Sequence, residues 1–227
     1  MTTPAEELPV GRHLLLWDAP NLDMTLSNII DSKPTARERP NLDVLGRWLV
    51  ERAAAATPPG EAEACVFVNV APHVAGPMRG WVMWLLEEGF RVFAKPKVAD
   101  SDVDRDMLDH IERRQGEGDL AAVLVGSNDA RNFLQPLERL ADRGIDVTVL
   151  GFAEFAGALS SSEQLRFLDL EQIEGLFEQP LPRINLEMLP PQGRWFEPTG
   201  ALGAGTGRAA VGSVHADTPA SDLTAAL

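Results

Sequence analysis

The chain has 227 residues, of which 44% are hydrophobic, and this content supports one substantial core and therefore one main domain. Its formal net charge of -14 argues against a protein that coats nucleic acid nonspecifically, because such binding depends on Lys and Arg neutralising phosphates. The single cysteine, Cys65, lies in an apolar run typical of a buried thiol, which excludes a disulfide framework and a zinc site built from cysteines.

The chain contains no apolar run of the roughly eighteen residues that a membrane-spanning helix needs. Its first residues, MTTPAEELPVGR, lack the basic segment followed by an apolar segment that marks a secretory signal. We therefore expect a soluble, cytoplasmic protein with no membrane partner.

Five apolar segments are predicted as strands, each followed by a stretch with helical character. Their near-continuous runs of Val, Leu and Phe are typical of parallel strands covered by helices on both faces. The pattern predicts a three-layer, Rossmann-like α/β fold with a mainly parallel sheet of order 3-2-1-4-5. The predicted strands read HLLLW, ACVFVNV, FRVFAK, AAVLVG and VTVLGF, and the predicted helices cover 42–56, 77–88, 104–114 and 132–143.

The C-terminal part changes in character along its length. The segment SSSEQLRFLDLEQIEGLF is predicted to supply a short helix, an edge strand and a closing turn. Beyond it the chain is rich in Pro, Gly and Ala and aperiodic, so it cannot bury enough apolar area to offset its ordering entropy. We expect a flexible N-terminus over 1–10, a domain over 11–178 and a disordered tail over 179–227. The tail glycines Gly203, Gly205 and Gly207 lack the strand and helix that a dinucleotide-binding loop needs.

Polar and acidic side chains follow three of the predicted strands. In an open parallel sheet, ligands bind beyond the carboxyl ends of the strands, where the strand order reverses. The order 3-2-1-4-5 places this reversal between the first and fourth strands, so the three groups are expected to converge on one crevice. The first strand is followed by Asp18 and Asn21, the third by Asp100, Asp102, Asp104, Asp106 and Asp109, and the fourth by Ser127, Asn128, Asp129 and Asn132.

Converging carboxylates repel one another and raise each other's pKa unless a cation lies among them. A set of oxygen ligands without His or Cys suits a hard divalent ion, Mg²⁺ or Mn²⁺. Such an ion polarises a phosphoryl oxygen and lowers the pKa of a bound water. The sequence therefore predicts hydrolysis of a phosphodiester.

Each of these residues also has a structural interpretation. Asp18 is expected at the metal, yet it could instead cap the turn after its strand, and Asn21 could cap a helix instead of orienting a water or Asp18. Asp23 is predicted to be an acid of the first helical turn, where acids are favoured. The acids in 100–109 could form a solvated helix start, although at least one is expected to act, and Asp129 could simply cap the helix that follows.

At these residues the chain resembles the NYN family, a branch of the PIN-like metal-dependent ribonucleases. Asp18 and Asn21 match the family's Asp-x-x-Asn motif after the first strand. Asp104, preceded by Val, best matches the acidic position after the third strand, with Asp102 and Asp106 as competitors. The segment SNDARNFLQPL resembles the family's Ser-Gly-Asp-Ser-Asp-Phe motif and the Pro-Leu that follows it; the matching residues are Ser127, Asp129, Phe133, Pro136 and Leu137.

The chain departs from this family pattern after the fourth strand. Asn128 stands where the family has Gly, and one residue is inserted. Asn132 replaces the second acid of the motif, with Arg131 beside it. An amide at this position coordinates through its oxygen but brings no charge to the site. The resemblance covers roughly residues 11–177.

The resemblance implies an RNA substrate. It also implies an Mg²⁺ or Mn²⁺ ion, which would be held by Asp18, Asp104 and Asp129, with Asn132 as a weaker ligand. In this interpretation the catalytic residues are Asp18, Asn21, Asp104 and Asp129. Substrate contacts are expected from Ser127 and Asn128, from Lys95 and Lys97 after the third strand, and from the loop residues Arg37 and Arg39, near Lys33.

The negative charge limits the RNA that such a protein binds. A long unstructured RNA should bind weakly and with steep salt dependence, so a short, structured or partner-delivered RNA is favoured. A protein partner or a second copy of the chain is therefore also considered. Trp17, which completes the first strand, is predicted to pack in the core rather than to stack on a base.

Two further functional classes compete with a ribonuclease. The first is a non-catalytic regulatory or interaction domain that kept the fold and lost the metal, which the neutral Asn132 and the acidic surface favour. The second is a phosphotransfer or nucleotide-binding protein, but the segment DAPNLDM stands where a glycine phosphate loop would follow the first strand. We therefore expect no nucleotide cofactor.

Overall fold

The computed structural model describes residues 11–98, 102–183, 190–193 and 195. The predicted flexible segment 1–10, Asp100 and most of the predicted tail, including Gly203, Gly205 and Gly207, lie outside the described residues. None of the described helices is long and apolar enough to cross a membrane.

Two helices separate the first strand of the described chain from the second, and strands and helices alternate from there on, with short 3₁₀ turns at 72–74, 153–155 and 170–172. The strands are β1 (Gly11–Asp18), β2 (Gly60–Val70), β3 (Arg91–Pro96), β4 (Leu120–Gly126), β5 (Asp146–Gly151) and β6 (Arg166–Asp169). The helices are α1 (Ala19–Ile30), α2 (Leu42–Ala54), α3 (Ala75–Glu87), α4 (Asp104–Glu117), α5 (Ala130–Ala141) and α6 (Gly157–Ser161).

The six strands form one parallel sheet of order β3-β2-β1-β4-β5-β6. The predicted α/β class and the predicted order 3-2-1-4-5 are confirmed, and β6 extends the sheet at one edge. Because β1 lies between β2 and β4, the order reverses at β1. The end of β1 is therefore the topological switch point at which open α/β sheets bind ligands.

The side chains of β1 alternate between two apolar clusters, one on each face of the sheet. Leu15 and Trp17 pack with α1, α2 and α3, whereas Leu14 and Leu16 pack with α4 and α5. Leu14, Leu15 and Leu16 are fully buried. Asp18 follows Leu16 by two positions and consequently faces the side of the sheet that carries α4 and α5.

Helix α1 follows β1 directly, which differs from the expectation for Asp23. Because α1 begins at Ala19, its first turn contains no acid and Asp23 lies in the second turn. There Asp23 forms a two-pronged ion pair with Arg39, with N–O distances of 2.7 and 3.1 Å. The prediction that Asp23 belongs to the first turn was therefore wrong. Because no loop separates β1 from α1, the first turn is already complete before Asp23.

Gly126 at the end of β4 allows a close approach that positions Trp17. A Cβ atom at this position would lie 2.6 Å from Cε3 of Trp17 and 3.3 Å from Cδ1 of Leu22. Real Cβ atoms do not approach other atoms so closely, so the indole can lie against β4 only because residue 126 has no side chain.

We therefore expect Gly126→Ala to lower the free energy of unfolding by about 1–3 kcal/mol, the usual cost of overpacking a core. Chemical denaturation monitored by circular dichroism measures this change. Gly80→Ala is the matched control, because a Cβ there meets nothing within 4 Å in the middle of α3. The control should be neutral or stabilising by up to about 1 kcal/mol. Equal stability of the Gly126→Ala protein and the wild type would contradict this account.

Candidate metal site

The end of β1 buries a carboxylate. Asp18 is only 2% exposed. Its Oδ1 accepts a hydrogen bond from the backbone N–H of Asn21 at 3.1 Å, and its Oδ2 accepts one from the hydroxyl of Ser127 at 3.1 Å. Asp18 therefore caps α1, as its structural interpretation expects, while its second oxygen turns toward the end of β4.

A hydrogen-bond network fixes the end of β4 relative to the start of α1. The hydroxyl of Ser127 accepts from the backbone N–H of Asp129 at 3.2 Å. The side-chain oxygen of Asn21 accepts from the backbone N–H of Asn128 at 2.8 Å. Asn21 thus positions the chain after β4 through a backbone contact.

Asp129 and Asp104 meet across the amide of Asn132. Asp129 caps α5 through Oδ1, which accepts from the backbone N–H groups of Arg131 at 3.0 Å and Asn132 at 3.2 Å. The Nδ2 of Asn132 donates to Oδ2 of Asp104 at 2.5 Å and to Oδ2 of Asp129 at 3.0 Å. The amide therefore occupies the space between two carboxylates.

Burial and neighbouring charges disfavour the charged forms of Asp18 and Asp104. Burial raises the pKa of Asp18 to about 8, and the charges of Asp104 and Asp129 add to this effect against the opposing hydrogen bonds. Burial also raises the pKa of Asp104, helped by the charges of Asp129 and Asp102. A cation placed among these carboxylates would stabilise their charged forms and reverse both shifts.

The donor chemistry of this group fits a hard divalent cation. Its ligands are carboxylate oxygens, which Mg²⁺ and Mn²⁺ prefer. The amide nitrogen of Asn132 stands between two of these carboxylates, so a cation shared by Asp104 and Asp129 would replace it there. The expected coordination through the amide oxygen of Asn132 requires this side chain to turn and stays a prediction.

Among the three candidates after β3, only Asp104 is placed in this network. Asp104 is buried at the first position of α4. Asp106 forms an ion pair with Lys95 at 2.6 Å, and Asp102 is exposed. The structure therefore favours Asp104 over its two competitors.

The predicted substrate contacts have different surroundings. Ser127 is fully buried, and the side chain of Asn128 bonds the backbone of Phe152 in both directions, at 2.9 and 3.0 Å. These side chains therefore act inside the protein, where Asn128 fastens the end of β4 to the end of β5.

Lys95 is paired with Asp106. Lys97 is half-buried, and burial lowers its pKa. Arg37 is exposed, and Arg39 is paired with Asp23, so substrate contact by these residues stays a prediction.

A second cluster was not expected from the sequence. Within the described residues, Glu63, Cys65 and His110 form the one group of acidic, His and Cys side chains whose ligand atoms all lie within 4.8 Å of one another. The Sγ of Cys65 lies 3.6 Å from Nε2 of His110 and 3.8 Å from Oε1 of Glu63. Glu63 and Cys65 share one face of β2, a spacing that the sequence does show, but the position of α4 decides that His110 joins them.

Arginines already neutralise the carboxylate of this second cluster. Glu63 pairs with Arg12 at 2.9 Å, with Arg91 at 3.4 Å and with Arg114. Although burial acts to raise it, these arginines, Arg114 above all, hold the pKa of Glu63 below its ordinary value. Burial together with Glu63 raises the pKa of the Cys65 thiol to about 12. A metal ion would have to displace an arginine and deprotonate this thiol. The ligand oxygens of Asp18, Asp104 and Asp129 do not all lie within 4.8 Å of one another, so an ion shared by these aspartates requires their side chains and the Asn132 amide between two of them to move.

Comparison with known proteins gives a family and a fold. A family model for the NYN domain matches residues 12–171. A search of curated proteins gave no match. The solved structure of a protein of unknown function from Vibrio parahaemolyticus RIMD 2210633 is similar, with a TM-score of 0.55 and 17% identity. The match covers 76% of this chain and 98% of that one, and at this identity it supports the fold alone.

The raised pKa of Asp18 predicts a stability that falls as pH rises. Between about pH 4 and pH 8 the folded protein retains a proton that the unfolded chain has lost, so unfolding becomes easier with increasing pH. Asp18→Asn removes the buried charge. We compare the free energy of unfolding of the Asp18→Asn variant with that of the wild type in EDTA. We expect the difference in favour of the variant to rise by at least about 1.4 kcal/mol, the equivalent of one pKa unit, from pH 5 to pH 8.

Urea unfolding at a series of pH values measures this difference. The matched control is Asp106→Asn, which removes a half-buried carboxylate that is already paired with Lys95. The control should show no such rise toward pH 8. A difference between Asp18→Asn and the wild type that is constant from pH 5 to pH 8 would contradict the burial of an uncompensated acid.

Proposed function

The chain belongs to the NYN domain family, and we propose that it is a ribonuclease dependent on Mg²⁺ or Mn²⁺. The observation that carries this proposal is the placement of Asp18, Asp104 and Asp129 in one hydrogen-bonded network at the switch point of the sheet. Membership of a PIN-like nuclease family supports the activity class and RNA as the substrate or partner. A cytoplasmic location stays a prediction.

In this proposal Asp18, Asp104 and Asp129 hold the ion through carboxylate oxygens. When bound, the ion polarises a phosphoryl oxygen of the RNA and makes water a better nucleophile. Ser127 holds Oδ2 of Asp18 in place, and Asn21 fixes the backbone from which Asp129 projects. Asp18 must give up the proton that its raised pKa retains, so metal affinity should increase with pH.

The substrate is proposed to be a short, structured or partner-delivered RNA. The net charge of -14 opposes the accumulation of a long polyanion on the surface. Two cations are proposed to contact phosphates: Arg131, exposed at the start of α5 beside Asp129, and Lys97, which follows β3 at the same carboxyl edge of the sheet. Such contacts predict cleavage that weakens as the salt concentration rises.

A specific observation supports the second candidate, a non-catalytic domain with a degenerate site. Asn132 donates hydrogen bonds to Asp104 and Asp129 and so holds both carboxylates without a cation. A site arranged in this way can persist as a structural feature. The two candidates differ in whether a divalent ion binds the folded protein.

Cleavage of a labelled RNA in Mn²⁺ tests the leading proposal. EDTA should stop the reaction, and Asp18→Asn should lower the rate by about 100-fold or more, because it removes charge that stabilises the transition state through the ion. Asp106→Asn is the control and should retain activity, since this carboxylate is paired with Lys95. Cleavage that survives in Asp18→Asn would show that the activity resides elsewhere.

Thermal melting with Mn²⁺ separates the two candidates. An ion at 100 times its dissociation constant stabilises the folded state by about 2.7 kcal/mol, so the melting temperature should rise in the wild type and not in Asp18→Asn. Asn132→Asp adds a carboxylate between Asp104 and Asp129 and should enlarge the Mn²⁺-dependent rise. If the wild type does not respond and Asn132→Asp does, the non-catalytic candidate is correct.

A further inference from the structure

A cavity of about 360 Å³ lies on the opposite face of the sheet from the carboxylates. It opens between α1, α3 and the segment 31–41. This volume is near the lower end of the range of about 300–1,000 Å³ for small-molecule pockets. Its lining includes three tryptophans, Trp17, Trp81 and Trp84, together with four polar side chains, Asp23, Arg39, Asn41 and Glu178.

Aromatic rings of fixed position line this cavity. Trp17 is 4% exposed and lies against Gly126, which has no side chain to move it. Trp81 and Trp84 are three positions apart on α3 and therefore lie on the same side of the helix. Both are half-buried and pack against the core while they line the cavity. Such a lining offers flat π surfaces to a planar ligand.

The polar groups of the lining can recognise the edge of a planar ligand. Arg39 and Asp23 form a two-pronged ion pair, which holds a fork of donors and a carboxylate beside the rings. Asn41 adds an amide and Glu178 a second carboxylate. A purely apolar occupant would use none of these groups, whereas a heterocyclic base carries matching donors and acceptors on its edge.

The cavity and the carboxylates share the same two structural elements. Trp17 and Asp18 are consecutive residues of β1 whose side chains face opposite sides of the sheet. On α1, Asn21 contacts the carboxylate network, and the next two residues, Leu22 and Asp23, line the cavity. Only the end of β1 and the first turns of α1 separate the cavity from the carboxylate network.

Cationic side chains border the cavity on the segment 31–41. Lys33 and Arg37 are exposed there, and Arg39 lines the cavity itself. This segment has three basic residues and two acidic ones, Asp31 and Glu38, in a chain whose net charge is -14. Arg39 is already neutralised by Asp23, so contact with the phosphates on either side of a bound base falls to Lys33 and Arg37.

We propose that this cavity is a base-binding subsite that takes one unpaired base of a single-stranded RNA, an inference that rests on the proposed ribonuclease function. The base stacks on Trp81 and Trp84, which are only half-buried, and the Arg39–Asp23 pair contacts its edge. The phosphates follow the 31–41 segment toward Asp18. A paired base cannot enter, because its edge and its faces are already occupied in a duplex. The cavity would therefore select single-stranded over double-stranded RNA.

The experiment uses the full chain carrying Asp18→Asn, in EDTA, so that cleavage does not interfere with binding. The probes are a short labelled single-stranded RNA and a series in which each position in turn is abasic. Tryptophan fluorescence and anisotropy report binding, since three of the five tryptophans line the cavity. We expect quenching by the parent RNA and a loss of affinity of about 5- to 150-fold at one abasic position, the range for one stacked base.

A double-mutant cycle assigns this loss to the cavity. Trp84→Leu should weaken binding of the parent RNA by a similar factor and have little further effect on the RNA that is abasic at the sensitive position. The matched control is Trp48→Leu on α2, because Trp48 contacts Arg52 and does not line the cavity. The control substitution should weaken binding of the parent RNA and of the abasic RNA equally or not at all. Thermal melting verifies that each variant is folded.

Equal affinity for the parent RNA and every abasic RNA overturns the subsite, even if Trp84→Leu fails to fold. If Trp84→Leu weakens binding of the parent RNA and of the abasic RNA equally, the subsite is also overturned. An absence of tryptophan quenching overturns it as well, since this is the result expected if the cavity holds a protein side chain. These outcomes are independent of the ribonuclease proposal, which Mn²⁺-dependent cleavage by the protein with an intact Asp18 tests separately. Base-dependent binding without any cleavage retains the subsite and rejects the nuclease.

Discussion

The site depends on the burial of one carboxylate at the end of the central strand. β1 lies between two parallel neighbours, so its apolar side chains alternate between two clusters, and the first polar residue after this apolar run, Asp18, is still almost completely buried. Burying a charged carboxylate is costly unless it is hydrogen-bonded and paired. The surrounding polar groups are therefore explained by the need to compensate this one acid.

The protein meets this need partly with hydrogen bonds. The N–H of Asn21 and the hydroxyl of Ser127 serve Asp18, and the amide of Asn132 serves Asp104 and Asp129. These donors are neutral, so they do not remove the repulsion among the carboxylates, and the pKa of Asp18 remains raised. A divalent cation would supply the missing charge. In contrast, Glu63 is compensated by arginines, so the chain has already neutralised the charge of this second cluster but not that of the aspartates.

Much of the fold follows from local patterns, whereas the side-chain partners do not. The continuous apolar runs predicted the five strands, and the Rossmann-like class suggested their order. The position of Asp18 at the reversal of strand order followed from that order. The pairing of Asp23 with Arg39 depends on the path of the 31–41 segment, which carries no periodic signal. Asn128 was expected to contact substrate because of its place in a motif. Its bonds to the backbone of Phe152 arise only when β4 and β5 lie side by side, as do the contacts that bring His110 to Glu63.

Calorimetric titration with Mn²⁺ near pH 7, in buffers of different ionisation enthalpy, tests most directly whether the three aspartates share a cation. Asp18 is mostly protonated below its raised pKa, so an ion that binds its carboxylate must expel that proton. The account predicts saturable binding in which roughly one proton is released to the buffer per ion, and the loss of this release in Asp18→Asn. Absence of binding, or binding with a heat that does not depend on the buffer, would contradict it.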